Sequence, residues 1–199
     1  MRKNIFTLLV LLLFLSLTSY ASACVGRTLY IGSLSSTEDT IMSEMLALLI
    51  NERTGTTVQT RYFKTNDELY AALSSSVEEE RVDILVEDTS DALAIIKKDR
   101  TNNPDQDYLV AKEHYDKNLN VIWLNPFGYG NSKGDTTISV SAPLVRRDVL
   151  TNFPLLPRVL NKLAGAITDK AYQNLAKDVS SGEKPKNAAK DFLRKKKFI

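Results

Sequence analysis

Glu87, Asp88 and Thr89 stand where an apolar run gives way to a helix, and side chains of these types in that position suit the capture of a small solute. The two carboxylates can attract a cation; otherwise they only answer the dipole of the following helix, worth roughly 0.3–1 kcal/mol each. A second polar group, Ser33, Ser35, Ser36 and Thr37, precedes another helix. Its hydroxyls, with the helix N-terminus, can donate to a ligand carboxylate, and at least one of them is read as an ordinary cap. Thr65, placed to cap a third helix, and Asn131 complete the candidate ligand-binding set of Ser33, Ser35, Ser36, Thr65, Glu87, Asp88, Thr89 and Asn131. His114 is the sole histidine, in a polar segment read as surface, and Cys24 the sole cysteine. With no second base beside a nucleophile, neither a metal site nor a catalytic triad can be assembled, and no cofactor is implied. The chemistry expected is reversible binding, not catalysis.

These groups need a rigid frame. Val82, Ile84, Leu85 and Val86 form the β-branched run of a strand buried on both faces, and Thr89 or Ser90 can cap the helix carrying Ala92, Leu93, Ile95 and Ile96. Thr28–Ser33, Thr57–Phe63 and Asn120–Leu124 read as further strands, with Thr136–Val140 as a fifth. Helices alternate with them. Ile41, Met42, Met45, Leu46, Leu49 and Ile50 recur at helical spacing until Gly55, and Leu69, Tyr70, Leu73 and Val77 share a face of the next helix. Asp99–Asp107 reads as a surface loop, and Pro126–Asp135 as a glycine-rich break. After Pro143 the pattern is helical over Val145–Leu150, Pro157–Leu163, Thr168–Val179 and Pro185–Lys195. This alternation predicts an α/β fold, a three-layer α/β/α arrangement with a mostly parallel sheet. Ligands in such sheets settle in the crevice outside the strands' carboxyl ends.

Residues 1–23 read as an export signal: Arg2 and Lys3, the apolar run Ile5–Leu17, then Ala21-Ser22-Ala23 before Cys24. The run is shorter than the roughly 20 residues that span a bilayer as a helix. Either Cys24 is the lipid anchor of a lipoprotein, despite Ala21 at the position usually aliphatic, or simple cleavage leaves a free thiol. Without Arg2 and Lys3 the count is 24 Lys+Arg against 24 Asp+Glu, which gives no argument for nucleic acid. Residues 24–199 are enough for one domain, and too few for two. Trp123, Phe127 and Tyr129 are read as core, with a stacking platform or an exposed patch for self-association as the alternatives. Lys184–Lys197 is read as a packed terminal helix with solvated lysines, the alternative being a membrane-surface helix.

Two blocks carry a resemblance. Ile31–Ile96, extended by HYDKNLNVIWLNPFGYGN to Asn131, and Ala142–Ile199, with APLVRRDVL and the closing KDFLRKKKFI, resemble substrate-binding proteins of ABC importers for glycine betaine, choline and related quaternary amines. The resemblance implies one lobe of a type II periplasmic-binding-protein fold. It also implies a small-molecule solute, ABC permease subunits as partners, and a place in the periplasm or on the outer face of the cytoplasmic membrane. In the family a second lobe lies between the crossing strand and the return segment, whereas here only about 132–141 separates them. The family's Tyr-Pro-Glu-Tyr run is similar to Leu85-Val86-Glu87-Asp88 only at Glu87; Leu34 stands where a lysine is usual, and Lys133 near a usual tyrosine. Quaternary ammonium has no N–H to donate and is held by aromatic faces. The resemblance therefore implies a solute-binding component, or a degenerate relative, with weak or absent affinity for glycine betaine and choline. The alternative is a membrane-tethered interaction module on the same scaffold.

Overall fold

The computed structural model describes residues 27–101, 103–128, 130 and 138–199. Candidates Cys24, Asn131, Tyr129 and Lys133 lie outside the described residues, as does the signal segment.

The central run forms β3, Ile84–Asp88, and its neighbours assemble into a five-stranded sheet of order β2-β1-β3-β5-β4. β1 (Leu29–Leu34) pairs in parallel with β2 (Val58–Phe63) and with β3. β5 (Ser141–Arg146) runs antiparallel to both β3 and β4 (Val121–Trp123). Alternate residues along the strands supply two cores, as the period of two requires. Leu29, Ile31, Ile84 and Val145 pack on one face, and Leu85, Ala142, Leu144 and Trp123 on the other.

The first face is covered by α1, Thr37–Thr54, whose Ile41, Met42, Met45, Leu46, Leu49 and Ile50 are all buried. Ser36 caps α1 by accepting from the Asp39 N–H, and Gly55 ends it with φ 69° and an N–H to the Asn51 carbonyl. Only a residue without Cβ takes that left-handed turn readily. The same layer holds α6 (Leu156–Leu160), α7 (Asp169–Ser180) and α8 (Pro185–Lys195). The opposite layer holds α2 (Asn66–Ser74), α3 (Thr89–Ile95) and α4 (Pro104–His114), which runs into a π turn at Tyr115–Leu119. Three layers of α/β/α result.

Several sequence expectations need correction. The fifth strand is Ser141–Arg146; of the expected Thr136–Val140, residues 136–137 lie outside the described residues and 138–140 are not strand, and the helix expected over Val145–Leu150 is α5, Arg147–Asn152. Pro143 suggested a helix start; instead Ala142, Leu144 and Val145 form a fully buried run in the sheet interior. Proline is tolerated there because a residue's C=O and missing N–H face the same neighbour. The Pro143 carbonyl accepts from Leu124 N, on the side where β4 has already ended at Trp123. Asp99–Asp107 is not wholly loop, since Asn103 caps α4 and Asp107 is buried, accepting from the Thr101 N–H and hydroxyl. His114, expected on the surface, is half-buried at the end of α4.

Trp123 and Phe127 are core residues. Trp123 meets Tyr115 and Tyr108 edge to face at 5.6 and 5.8 Å, and Phe127 is fully enclosed. Neither offers a stacking platform or an exposed patch. Phe127 hydrogen bonds through its N–H to Ser141 and through its carbonyl to Ile167, tying the return segment to the sheet edge. Next to it, Gly128 has φ 106°, and a Cβ there would lie 2.8 Å from the Gly165 Cα. Gly128→Ala is expected to destabilise the fold by about 2 kcal/mol in chemical denaturation, through the unfavourable φ and the backbone clash.

Candidate functional site

At the carboxyl ends of β1 and β3 the sheet opens into a cavity of about 280 Å³, lined by Ser33, Ser36, Asn66, Glu87, Asp88 and Ser141, among others. Two helix N-termini meet here: Ser36 caps α1, and Asp88, the last residue of β3, caps α3 by accepting from the Ser90 N–H at 2.8 Å. The α3 cap is thus Asp88, not Thr89 or Ser90.

Asp88 is buried, and each of its oxygens has partners. Oδ1 takes the Ser90 N–H and hydroxyl, while Oδ2 accepts from Ser139 Oγ at 2.5 Å and from Ser141 Oγ at 3.4 Å. A carboxylate tied by this many donors is an anchor for its surroundings. Thr89 is likewise engaged: its N–H donates to the Val140 carbonyl and its Oγ1 accepts from the Val140 N–H, both at 3.0 Å. These bonds hold the chain before β5 against the start of α3.

Glu87 lies deeper. Its Oε1 accepts the Asp88 N–H at 2.9 Å, and its Oε2 lies 2.7 Å from the Tyr70 hydroxyl. Tyr70 continues to the Tyr115 hydroxyl at 2.8 Å, and Tyr115 donates to the Ala92 carbonyl at 3.3 Å. Each phenol owns one hydrogen and the carbonyl only accepts. For all three contacts to be hydrogen bonds, the proton at the head of the row must come from Glu87. Burial pushes this carboxyl up to about 8, only partly offset by the Tyr70 and Asp88 bonds, with Asp91 and Asp88 raising it further. At neutral pH Glu87 is therefore largely a neutral acid. Burial also raises both phenols, next to the Glu87 charge.

The remaining candidates separate. Ser33 is buried with its hydroxyl on the Leu34 carbonyl; Ser35 is exposed. Thr65 caps α2 by accepting from the Glu68 N–H, and its neighbour Asn66, not Thr65, lines the cavity. Residues missed from sequence are Ser139 and Ser141, which hold Asp88, and the Tyr70–Tyr115 pair. Tyr70 carried a signal only as part of a helix face, and nothing in the spacing joins it to Tyr115, 45 positions away.

The electrostatics are one-sided. Glu38, Asp39 and Asp91 join Glu87 and Asp88 around the cavity, and no Lys, Arg or His lines it among the described residues. None of those lining residues is aromatic. The described walls offer carboxylate and hydroxyl oxygens, and among them no ring face for a methylated cation.

Comparisons with known proteins agree with this architecture. Residues 27–136 and 138–195 match OpuAC, described as the substrate binding domain of ABC-type glycine betaine transport system. Among solved structures, one titled as a glycine betaine/carnitine/choline ABC transporter superposes with a TM-score of 0.76 at 14% identity, over 86% of this chain and 98% of that one. Apo YehZ from Escherichia coli gives a TM-score of 0.76 at 16% identity, over 87% of this chain and 100% of that one. At such identities the likeness is one of fold. No curated protein matches the chain in sequence. Since the family match spans most of its length, the chain belongs to the OpuAC family of substrate-binding domains of ABC-type glycine betaine transport systems.

Proposed function

We propose that the chain is an extracytoplasmic solute-binding component, or a degenerate relative of one, working with an ABC importer for glycine betaine- or choline-like solutes and holding its ligand weakly. The observation that carries the reading is the cavity at the carboxyl ends of β1 and β3 in a chain of this family, built from hydroxyls and carboxylates with no ring among its described walls. Binding there is reversible and needs no chemistry. The weak grip follows from two features. Each missing aromatic contact forfeits roughly 0.5–2 kcal/mol for a quaternary cation. Moreover, only residues 124–140 join β4 to β5. That is far short of a second domain, so the chain is read as a single lobe that cannot close on its ligand. Export, with Cys24 either lipidated or left as a free thiol, places the domain in the periplasm or on the outer face of the cytoplasmic membrane.

A thermal-shift screen against betaines, choline, carnitine, amino acids and polyamines tests this. Stabilisation scales with ligand concentration over Kd, so a weak ligand raises Tm only when supplied well above that constant. The expected result is a shift of about 1–3 °C from at least one solute at about 100 mM, and none from quaternary amines at about 0.1 mM. Silence across the panel would remove the solute-binding reading and leave the scaffold alone.

A further inference from the structure

The walls of the cavity discriminate between classes of cation. Two pairs of acids line it from neighbouring strand ends: Glu38 and Asp39 in the first turn of α1, after β1, and Asp88 and Asp91 at the start of α3, after β3. Asp39 takes the Ser36 hydroxyl, Glu38 the Tyr172 phenol, and Asp88 the hydroxyls of Ser90, Ser139 and Ser141. These donors are neutral and leave the negative charge in place. Glu87, with its proton given to Tyr70, is not counted among them.

The helix dipoles do not absorb this charge. A helix start is equivalent to roughly half a positive charge, so two of them offset about one of the four formal charges and leave about three. No Lys, Arg or His stands against that excess among the described walls. An amino acid or a betaine would bring its own carboxylate into the same field. The occupant that suits it is a cation without an acid group.

Spacing and hydrogen bonding narrow the class further. Among the described residues no cluster of three or more acidic, histidine or cysteine side chains could hold a metal ion, so the acids suit charge spread along a molecule and not a single point. Carboxylate oxygens also want hydrogen. A primary ammonium brings three N–H donors and forms charge-assisted bonds about twice as strong as neutral ones, whereas a quaternary ammonium brings none. A volume of about 280 Å³ lies at the small end of ligand sites, which favours a short chain.

We propose that the solute of this cavity is a short linear diamine or polyamine, its protonated nitrogens answered by Glu38 and Asp39 on the β1 side and by Asp88 and Asp91 on the β3 side. The assignment rests on the solute-binding reading of the same site and names its substrate class.

The test is a calorimetric titration of the protein with 1,4-diaminobutane, with the same diamine carrying three methyl groups on each nitrogen, and with 1-aminobutane. The two diamines share charge and chain length, so their difference reports the N–H donors; the monoamine reports the second charged end. The expected Kd of 1,4-diaminobutane is at least about tenfold below that of either comparison compound. Asp39→Asn and Asp91→Asn are each expected to raise it about tenfold. Equal Kd values for the diamine and its methylated form, or an unchanged Kd in both variants, overturn the assignment. So does silence from all three amines while a solute of another class stabilises the protein in the thermal-shift screen, an outcome that leaves the solute-binding reading standing. Silence from the amines and from the whole panel overturns both. The comparison between ligands uses the unaltered protein and stands even if a variant fails to fold.

Discussion

Replacing Glu87 with glutamine is expected to flatten the fall of stability with rising pH. The folded carboxyl keeps its proton up to about 8, whereas the ordinary value is 4.5, so between those limits the native state binds more protons than the unfolded one. Stability contributed by this group is fully present below about 4.5 and is lost as pH rises through 8. The slope approaches about 1.4 kcal/mol per pH unit across the window. Tyr70, Tyr115, Asp88 and Asp91 all face the group, and a further negative charge beside the two aspartates is what the rising pH would create. Glutamine mimics the neutral acid. Its carbonyl can accept the Asp88 N–H, and its amide can donate to Tyr70, keeping the row to Tyr115 and Ala92 supplied with hydrogen. Urea denaturation from pH 5 to 8 should show the unaltered protein losing on the order of 4 kcal/mol more than the variant. Parallel curves for the two proteins would mean that Glu87 is ionised throughout.

The second large effect is expected at Asp88. Asp88→Ala removes the cap of α3, worth about 1 kcal/mol, and leaves the Ser139 and Ser141 hydroxyls buried without their acceptor. A loss of about 3 kcal/mol is expected in chemical denaturation. Because Oδ2 fastens residues just before and at the start of β5, the loss should be accompanied by faster hydrogen exchange at the Ser141–Val145 amides. Asp88→Asn keeps the Oδ1 acceptor, and the Ser139 hydroxyl can turn to accept from its amide, so about 1 kcal/mol is expected there. Equal losses from alanine and asparagine would show that the charge, not the bonding pattern, anchors β5.

Those two residues also show how far the sequence could be read. Ile84–Val86 ahead of two acids announced a buried strand ending at a helix, and Ser36 with the spacing Ile41 to Ile50 and Gly55 fixed α1 nearly to its ends. Local signals of cap, period and stop are enough for such elements. β5 was not legible. Pro143 imitates a helix start, and its place in the sheet interior depends on β4 ending at Trp123, a fact of pairing that no local window contains. The family resemblance pointed to Glu87 as the matching position, and the structure adds why an acid can sit there: Tyr70 and Tyr115, from α2 and the π turn, arrive from separate elements to share its proton. Thr89 and Asp88 were legible as polar groups at the right edge, but their use is largely internal, holding Val140, Ser139 and Ser141. A pocket lining read from sequence thus included groups already committed to one another.

Isothermal titration of glycine betaine and choline into the protein tests most directly whether a site with no ring among its described walls grips quaternary amines. The account predicts no measurable heat, or a Kd weaker than about 1 mM, equivalent to some 4 kcal/mol of binding energy or less. A submicromolar Kd for either solute with one equivalent bound per chain would contradict it.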